Sequence, residues 1–134
     1  MYQRSLLPVI KDGLLKHPAV MHILTGPRQV GKTTLAKQIM TQWPGPSWYA
    51  AADVIPPPGP EWIETQWLLA ARQIRENHPT LLILDEIQKV SGWSTVIKRL
   101  WDARPAGNGI RVLCLGSSAM LLQHGMSESL AGRF

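Results

Sequence analysis

Gly26-Pro27-Arg28-Gln29-Val30-Gly31-Lys32-Thr33 fits the spacing G-x-x-x-x-G-K-S/T, and it opens directly after the apolar run Val20-Met21-His22-Ile23-Leu24. A buried strand therefore ends where the glycines begin, and a helix starts near Lys32. Glycines at these positions let successive backbone N–H groups turn inward around the β- and γ-phosphates of a nucleotide, and the helix that follows directs the positive end of its dipole at them. Lys32 adds a point charge, and Thr33 a hydroxyl suited to Mg²⁺. The phosphate-cradling set is Gly26, Pro27, Arg28, Gln29, Val30, Gly31, Lys32, Thr33 and Thr34. The plainer alternative is a glycine turn before a basic helix.

A second segment argues against that alternative. Thr80-Leu81-Leu82-Ile83-Leu84 is an uninterrupted apolar run that ends in the acids Asp85 and Glu86, the pattern of a strand buried on both faces of a parallel sheet. Ligands of open α/β sheets sit beyond the carboxyl ends of the strands. Asp85 is therefore expected in the Mg²⁺ shell near Thr33, and Glu86 is expected to orient and deprotonate an attacking water. Without the upstream loop, the same residues would read as a strand running into a polar turn.

Composition narrows the remaining classes. At 134 residues and 45% hydrophobic content the chain has room for one domain with a moderate core. Its net charge is +5, and residues 1–43 carry six basic residues against the single acid Asp12. Such a surplus attracts nucleotide or nucleic acid, but there is no run of Lys or Arg and no obvious base-stacking platform, so a solvated basic face is the better account. Cys114, the lone cysteine, lies within the apolar run Val112-Leu113-Cys114-Leu115 and belongs to the core. No stretch has the length needed to cross a membrane, and the N-terminus lacks a secretory pattern. A cytoplasmic protein is expected. His17, His22, His78 and His124 are scattered without zinc-ligand spacing, which leaves nucleotide-bound Mg²⁺ as the metal in view.

Between the motifs, strand and helix patterns alternate. Leu6, Leu7, Ile10, Leu14 and Leu15 recur at helical spacing before Pro18, and Leu35, Ile39 and Met40 form the sheet-facing side of a helix that Pro44-Gly45-Pro46 ends. Ser47–Ala52 reads as a second strand, followed by the stiff loop Pro56-Pro57-Pro58-Gly59-Pro60. Pro60 suits the first position of a helix whose apolar face is Ile63, Trp67, Ala70, Ala71 and Ile74. Trp93, Val96, Ile97, Leu100 and Trp101 make a third helical stripe, and Ile110–Gly116 a further strand ending at Ser117-Ser118. The alternation predicts βαβ units, a parallel sheet and right-handed crossovers.

Taken in order, GPRQVGKTT from Gly26 to Thr34, LILDEIQ from Leu82 to Gln88, Gly92-Trp93, Gly116-Ser117-Ser118-Ala119 and Ser129-Leu130-Ala131-Gly132-Arg133 resemble the prokaryotic AAA-like ATPases that carry a C-terminal nuclease-like domain. The resemblance implies a three-layer RecA-type P-loop NTPase core with a mostly parallel sheet of about four strands. It also implies an extra catalytic glutamate and a strand inserted between the phosphate-loop strand and the acid-tipped one. Carried over, Lys32 and Thr33 match the nucleotide and Mg²⁺ contacts, Asp85 the metal-shell acid, Glu86 the water-activating acid and Ser117 the polar sensor of the γ-phosphate. A serine capping the next helix fits Ser117 nearly as well. Arg133 matches an arginine offered to transition-state charge in cis or to a neighbouring subunit, and an ordinary surface arginine matches equally. Gln88 fits the pattern with no role beyond a loop hydrogen bond. Family members continue past the Gly-Arg stretch with another strand and the C-terminal domain. Residues 1–134 therefore read as an ATPase domain from which the C-terminal part of that architecture is missing.

These readings converge on an ATP-binding, Mg²⁺-dependent module that hydrolyses ATP to ADP and phosphate, coupled to an effector or a DNA-linked process. ATP is favoured over GTP because the N/T-K-x-D signature of guanine readers is absent. A small-molecule kinase is a weaker rival, since no arginine-rich lid is visible. The rival of another class is a nucleotide-gated binding module with little turnover. Self-association, a DNA partner and a protein partner all stay open.

Overall fold

The computed structural model describes residues 11–15, 21–25, 32–74, 78–104 and 109–117. A helical stretch over 11–15 precedes β1 (His22–Thr25), α1 (Lys32–Gln42), β2 (Ser47–Ala51), α2 (Pro60–Ala71), β3 (Thr80–Asp85), a 3₁₀ turn (Ile87–Lys89), α3 (Trp93–Ala103) and β4 (Ile110–Gly116). The four strands form one sheet in the order β1-β4-β3-β2, every neighbouring pair parallel. β4 thus lies between the strand that leads to the glycine loop and the strand that ends in acids, where the resemblance places an inserted strand. Among the described residues β1 pairs with β4 alone and stands at the sheet edge.

Strand alternation sorts the core into two layers. Successive side chains point to opposite faces. Leu82 and Leu84 of β3 join Ile110, Val112 and Cys114 of β4 against Ile63, Trp67 and Ala70 of α2 and Trp93, Val96, Ile97 and Trp101 of α3. The odd positions Leu81, Ile83, Leu113 and Leu115 face the other way, onto Leu14, Leu35, Ala36, Ile39 and Trp43. All six residues of β3 are buried, which is why Leu81–Leu84 run apolar without alternation. The sheet is covered on both faces, giving the three-layer α/β fold that the pattern predicts.

Polar contacts tie the layers where apolar packing would leave rings unsatisfied. The indole N–H of Trp48 donates to Gln66 Oε1 at 2.9 Å, and that of Trp43 donates to the Pro79 carbonyl at 2.7 Å. Trp67 and Trp101 meet edge-to-face at 6.4 Å, and the Arg104 guanidinium stacks 3.5 Å from the Trp101 ring centroid. An ion pair between Arg99 and Glu64 joins the outer sides of α3 and α2. Cys114 is wholly buried, and burial pushes its thiol up to about 12, so it stays protonated and packs as a small apolar side chain.

One boundary differs from the periodic pattern. The stripe of α2 carries on to Ile74 in the sequence, yet the helix stops at Ala71 and Ile74 is exposed. The Gln73 and Ile74 N–H groups bond the carbonyls of Ala70 and Ala71, so the backbone tightens to three-residue closure there. Of the first stripe, Leu14 is buried as expected, while Leu6, Leu7 and Ile10 lie outside the described residues.

Gly92 shows the cost of ending one turn and starting the next helix at once. It holds φ 73°, and an added Cβ would meet nothing within 4 Å. Only backbone strain opposes a side chain there. Gly92→Ala is therefore expected to lower stability by roughly 1–2 kcal/mol, read as a drop in the urea midpoint at unchanged m-value.

Candidate functional site

Three strand ends and one helix start meet at the carboxyl edge of the sheet. Parallel register pairs Thr25 with Gly116, Leu24 with Leu115, Leu84 with Cys114 and Ala51 with Asp85. β1 therefore ends level with β4, and the acids that follow Leu84 lie at the same height. Six residues, 26–31, connect β1 to the first turn of α1, which begins at Lys32. This glycine loop lies outside the described residues. Only the backbone is described for Lys32 and Thr33, both in the first turn of α1, and Thr34 beside them is exposed.

Asp85 is the last residue of β3 and is only 3% exposed. By alternation it shares a face with Leu81 and Ile83, the face that packs on α1. The carboxylate accordingly sits on the side of the sheet where the Lys32 helix lies. Its Oδ2 accepts a hydrogen bond from the Tyr49 hydroxyl of β2. Tyr49 stands two residues before Ala51, the register partner of Asp85, so strand pairing brings the phenol onto the same face. Lys37 of α1 completes the cluster, its ammonium 5.7 Å from the Tyr49 ring centroid. The Ala52 N–H continues the β2–β3 ladder with a bond to the Asp85 carbonyl at 3.0 Å.

Glu86 follows in the left-handed region, with φ 54° and ψ 40°, the one non-glycine residue of positive φ among those described. This turn takes the chain out of the strand and into the 3₁₀ segment, with the Lys89 N–H closing on the Glu86 carbonyl at 3.1 Å. The carboxylate is half-buried and accepts a hydrogen bond from Gln88 Nε2 at 2.7 Å. Lys89 pairs with Asp53 in the loop after β2, bracing the turn from the other side. Ser117 is half-buried, one residue beyond the last paired position of β4.

Asp85, Glu86, Ser117 and the start of α1 are thus brought to one edge of the sheet, while Arg133 lies outside the described residues. Two contacts were not assigned from sequence. Tyr49 requires knowledge of which strand neighbours β3 and in what register. Gln88 requires the sign of φ at Glu86, and glutamate does not announce it.

The donor types at this edge suit a hard cation. The buried Asp85 carboxylate is an oxygen donor of the kind that Mg²⁺ takes alongside phosphate and water. Among the described residues no cluster of three or more His, Cys, Asp or Glu could hold a metal ion without such help. No helix among the described residues is long and apolar enough to cross a membrane.

Residues 19–134 match the AAA domain family. No curated protein matches the chain. Among solved structures, two variants of RuvB from Thermotoga maritima superpose with TM-scores of 0.63 and 0.62 at 18% and 17% identity. In both cases 98% of this chain is covered, against 41% and 42% of the RuvB chains. The chain spans about two fifths of the length of these solved chains, and at such identity the likeness is one of fold.

Proposed function

Because the chain belongs to the AAA domain family, we propose that it binds ATP with Mg²⁺ and hydrolyses it to ADP and phosphate. The observation that carries this reading is the pair of acids closing β3 at the carboxyl edge, on the sheet whose other strand β1 leads into GPRQVGKTT. In this reading residues 26–34 surround the phosphates with N–H groups, and the Lys32 ammonium holds their charge. Thr33 and Asp85 hold Mg²⁺, directly or through water. When bound, the cation neutralises charge on the terminal phosphates. Tyr49 keeps the Asp85 carboxylate oriented by occupying one of its lone pairs.

Glu86 acts on water. Its half-buried carboxylate takes the proton as the oxygen attacks, and Ser117 hydrogen-bonds to the terminal phosphate or its product. Arg133 supplies transition-state charge in cis or to a neighbouring copy. We extend the proposal to an effector driven by the cycle, a DNA or protein partner, and to a C-terminal nuclease-like domain, as the motif set implies.

Phosphate release from ATP in the purified chain tests the reading. Turnover is expected with Mg²⁺ and should vanish when EDTA removes it. Tight ATP-Mg²⁺ binding without release would instead favour the nucleotide-gated binding module, and absence of both would reject a nucleotide site.

A further inference from the structure

We propose that Gln88 is a positioning residue for Glu86, holding its carboxylate so that one oxygen stays open to the attacking water; this rests on the ATPase reading above. Glu86 leaves the sheet through a left-handed turn, so strand alternation does not direct its side chain. A half-buried glutamate on such a turn has three rotatable bonds to be fixed. Orientation comes from Gln88, whose amide N–H donates to Oε1 at 2.7 Å, a charge-assisted bond. It engages one oxygen, and Oε2 keeps its lone pairs for a water.

The donor itself stands on a fixed platform. Ile87 and Val90 on either side of Gln88 and Lys89 are wholly buried, and the Val90 N–H closes on the Ile87 carbonyl at 3.0 Å. The ion pair between Lys89 and Asp53 holds the same turn to the loop after β2. Gln88 is thereby placed by the fold, and Glu86 by Gln88.

The other half of the amide points to a role beyond packing. Gln88 Oε1 is buried and finds no hydrogen-bond partner among the described residues. An unpaired buried carbonyl weakens the fold, whereas a methionine of the same length would fill the space without that loss. A side chain serving packing alone would do better as a hydrocarbon. The amide's use here lies in its N–H, and that N–H is spent on Glu86.

Gln88→Met in the full chain is the test, since it keeps length and volume while removing the donor. The expected result is a kcat lowered roughly 10- to 100-fold, as for a misplaced catalytic group. KM for ATP should stay within twofold, and the melting temperature should be unchanged or higher. In a Glu86→Gln background the same substitution should cost nothing further in single-turnover rate, because the group it positions has already lost its function. A kcat within twofold of the unsubstituted chain, an equal loss in the Glu86→Gln background, or a loss matched by a lower melting temperature would each overturn the assignment. Turnover that needs Glu86 and not Gln88 rejects this inference alone. No turnover in the unsubstituted chain rejects the ATPase reading and the inference with it.

Discussion

Lys32→Ala is expected to raise the dissociation constant for ATP-Mg²⁺ by about two orders of magnitude, taking the charge-assisted contacts of one ammonium to phosphate at about 3 kcal/mol. Lys32 is the first residue of α1, with six residues between it and the end of β1, where the N–H groups of a helix start lack intrahelical partners and attract an anion. Removing the ammonium deletes charge from a ligand site and leaves the core untouched, because the residues of α1 that pack on the sheet are Leu35, Ala36 and Ile39. Alanine is also the stronger helix former. Calorimetric titration with ATP and Mg²⁺ should show the loss, while the circular dichroism melt should match that of the unsubstituted chain. Retained affinity would reject the phosphate-loop reading.

Glu86→Gln carries the second large effect. Loss of a general base typically costs 10²–10⁴ in rate, and here the fall in kcat should come with ATP binding intact, so that the variant accumulates as an ATP complex. Glutamine suits the experiment because its carbonyl can still accept the Gln88 N–H and its shape is conserved. The geometry of the turn persists, and only proton acceptance is removed. Measuring bound nucleotide after gel filtration, together with single-turnover hydrolysis, separates the two readings of the site. An ATPase should retain unhydrolysed ATP in the variant. A nucleotide-gated switch should behave almost as before.

Much of the fold could be read from residues because its signals are local. Leu81–Leu84 of β3 are apolar without alternation since both faces of the strand are covered, and such a run bounded by Pro79 and two acids has few other uses. The proline and glycine punctuation around residues 44–46 and 56–60 marks where α1 ends and α2 begins. Strand order is different. That β4 stands between β1 and β3 follows from which crossovers pack, and the residues of β4 alone do not encode it; the expectation came from the resemblance. Tyr49 was legible as a strand residue and illegible as the partner of Asp85, because the contact of two residues 36 apart in sequence depends on the register between their strands. The end of α2 departs from the sequence pattern for the opposite reason. Ile74 keeps the helical period, but periodicity reports apolar spacing and carries no information on where hydrogen bonding tightens and stops.

The strand between the phosphate-loop strand and the acid-tipped strand also works as a caliper. Neighbouring strands lie about 4.8 Å apart, so inserting β4 holds the tips of β1 and β3 about 10 Å from each other. Two jaws set at that separation cannot close on each other without breaking a sheet. On the proposed reading, an occupant long enough to bridge them carries a terminal phosphate and a hydrated cation. Losing that terminal group leaves one jaw empty. The difference between substrate and product is then registered as a span, fixed by backbone hydrogen bonds before any side chain moves.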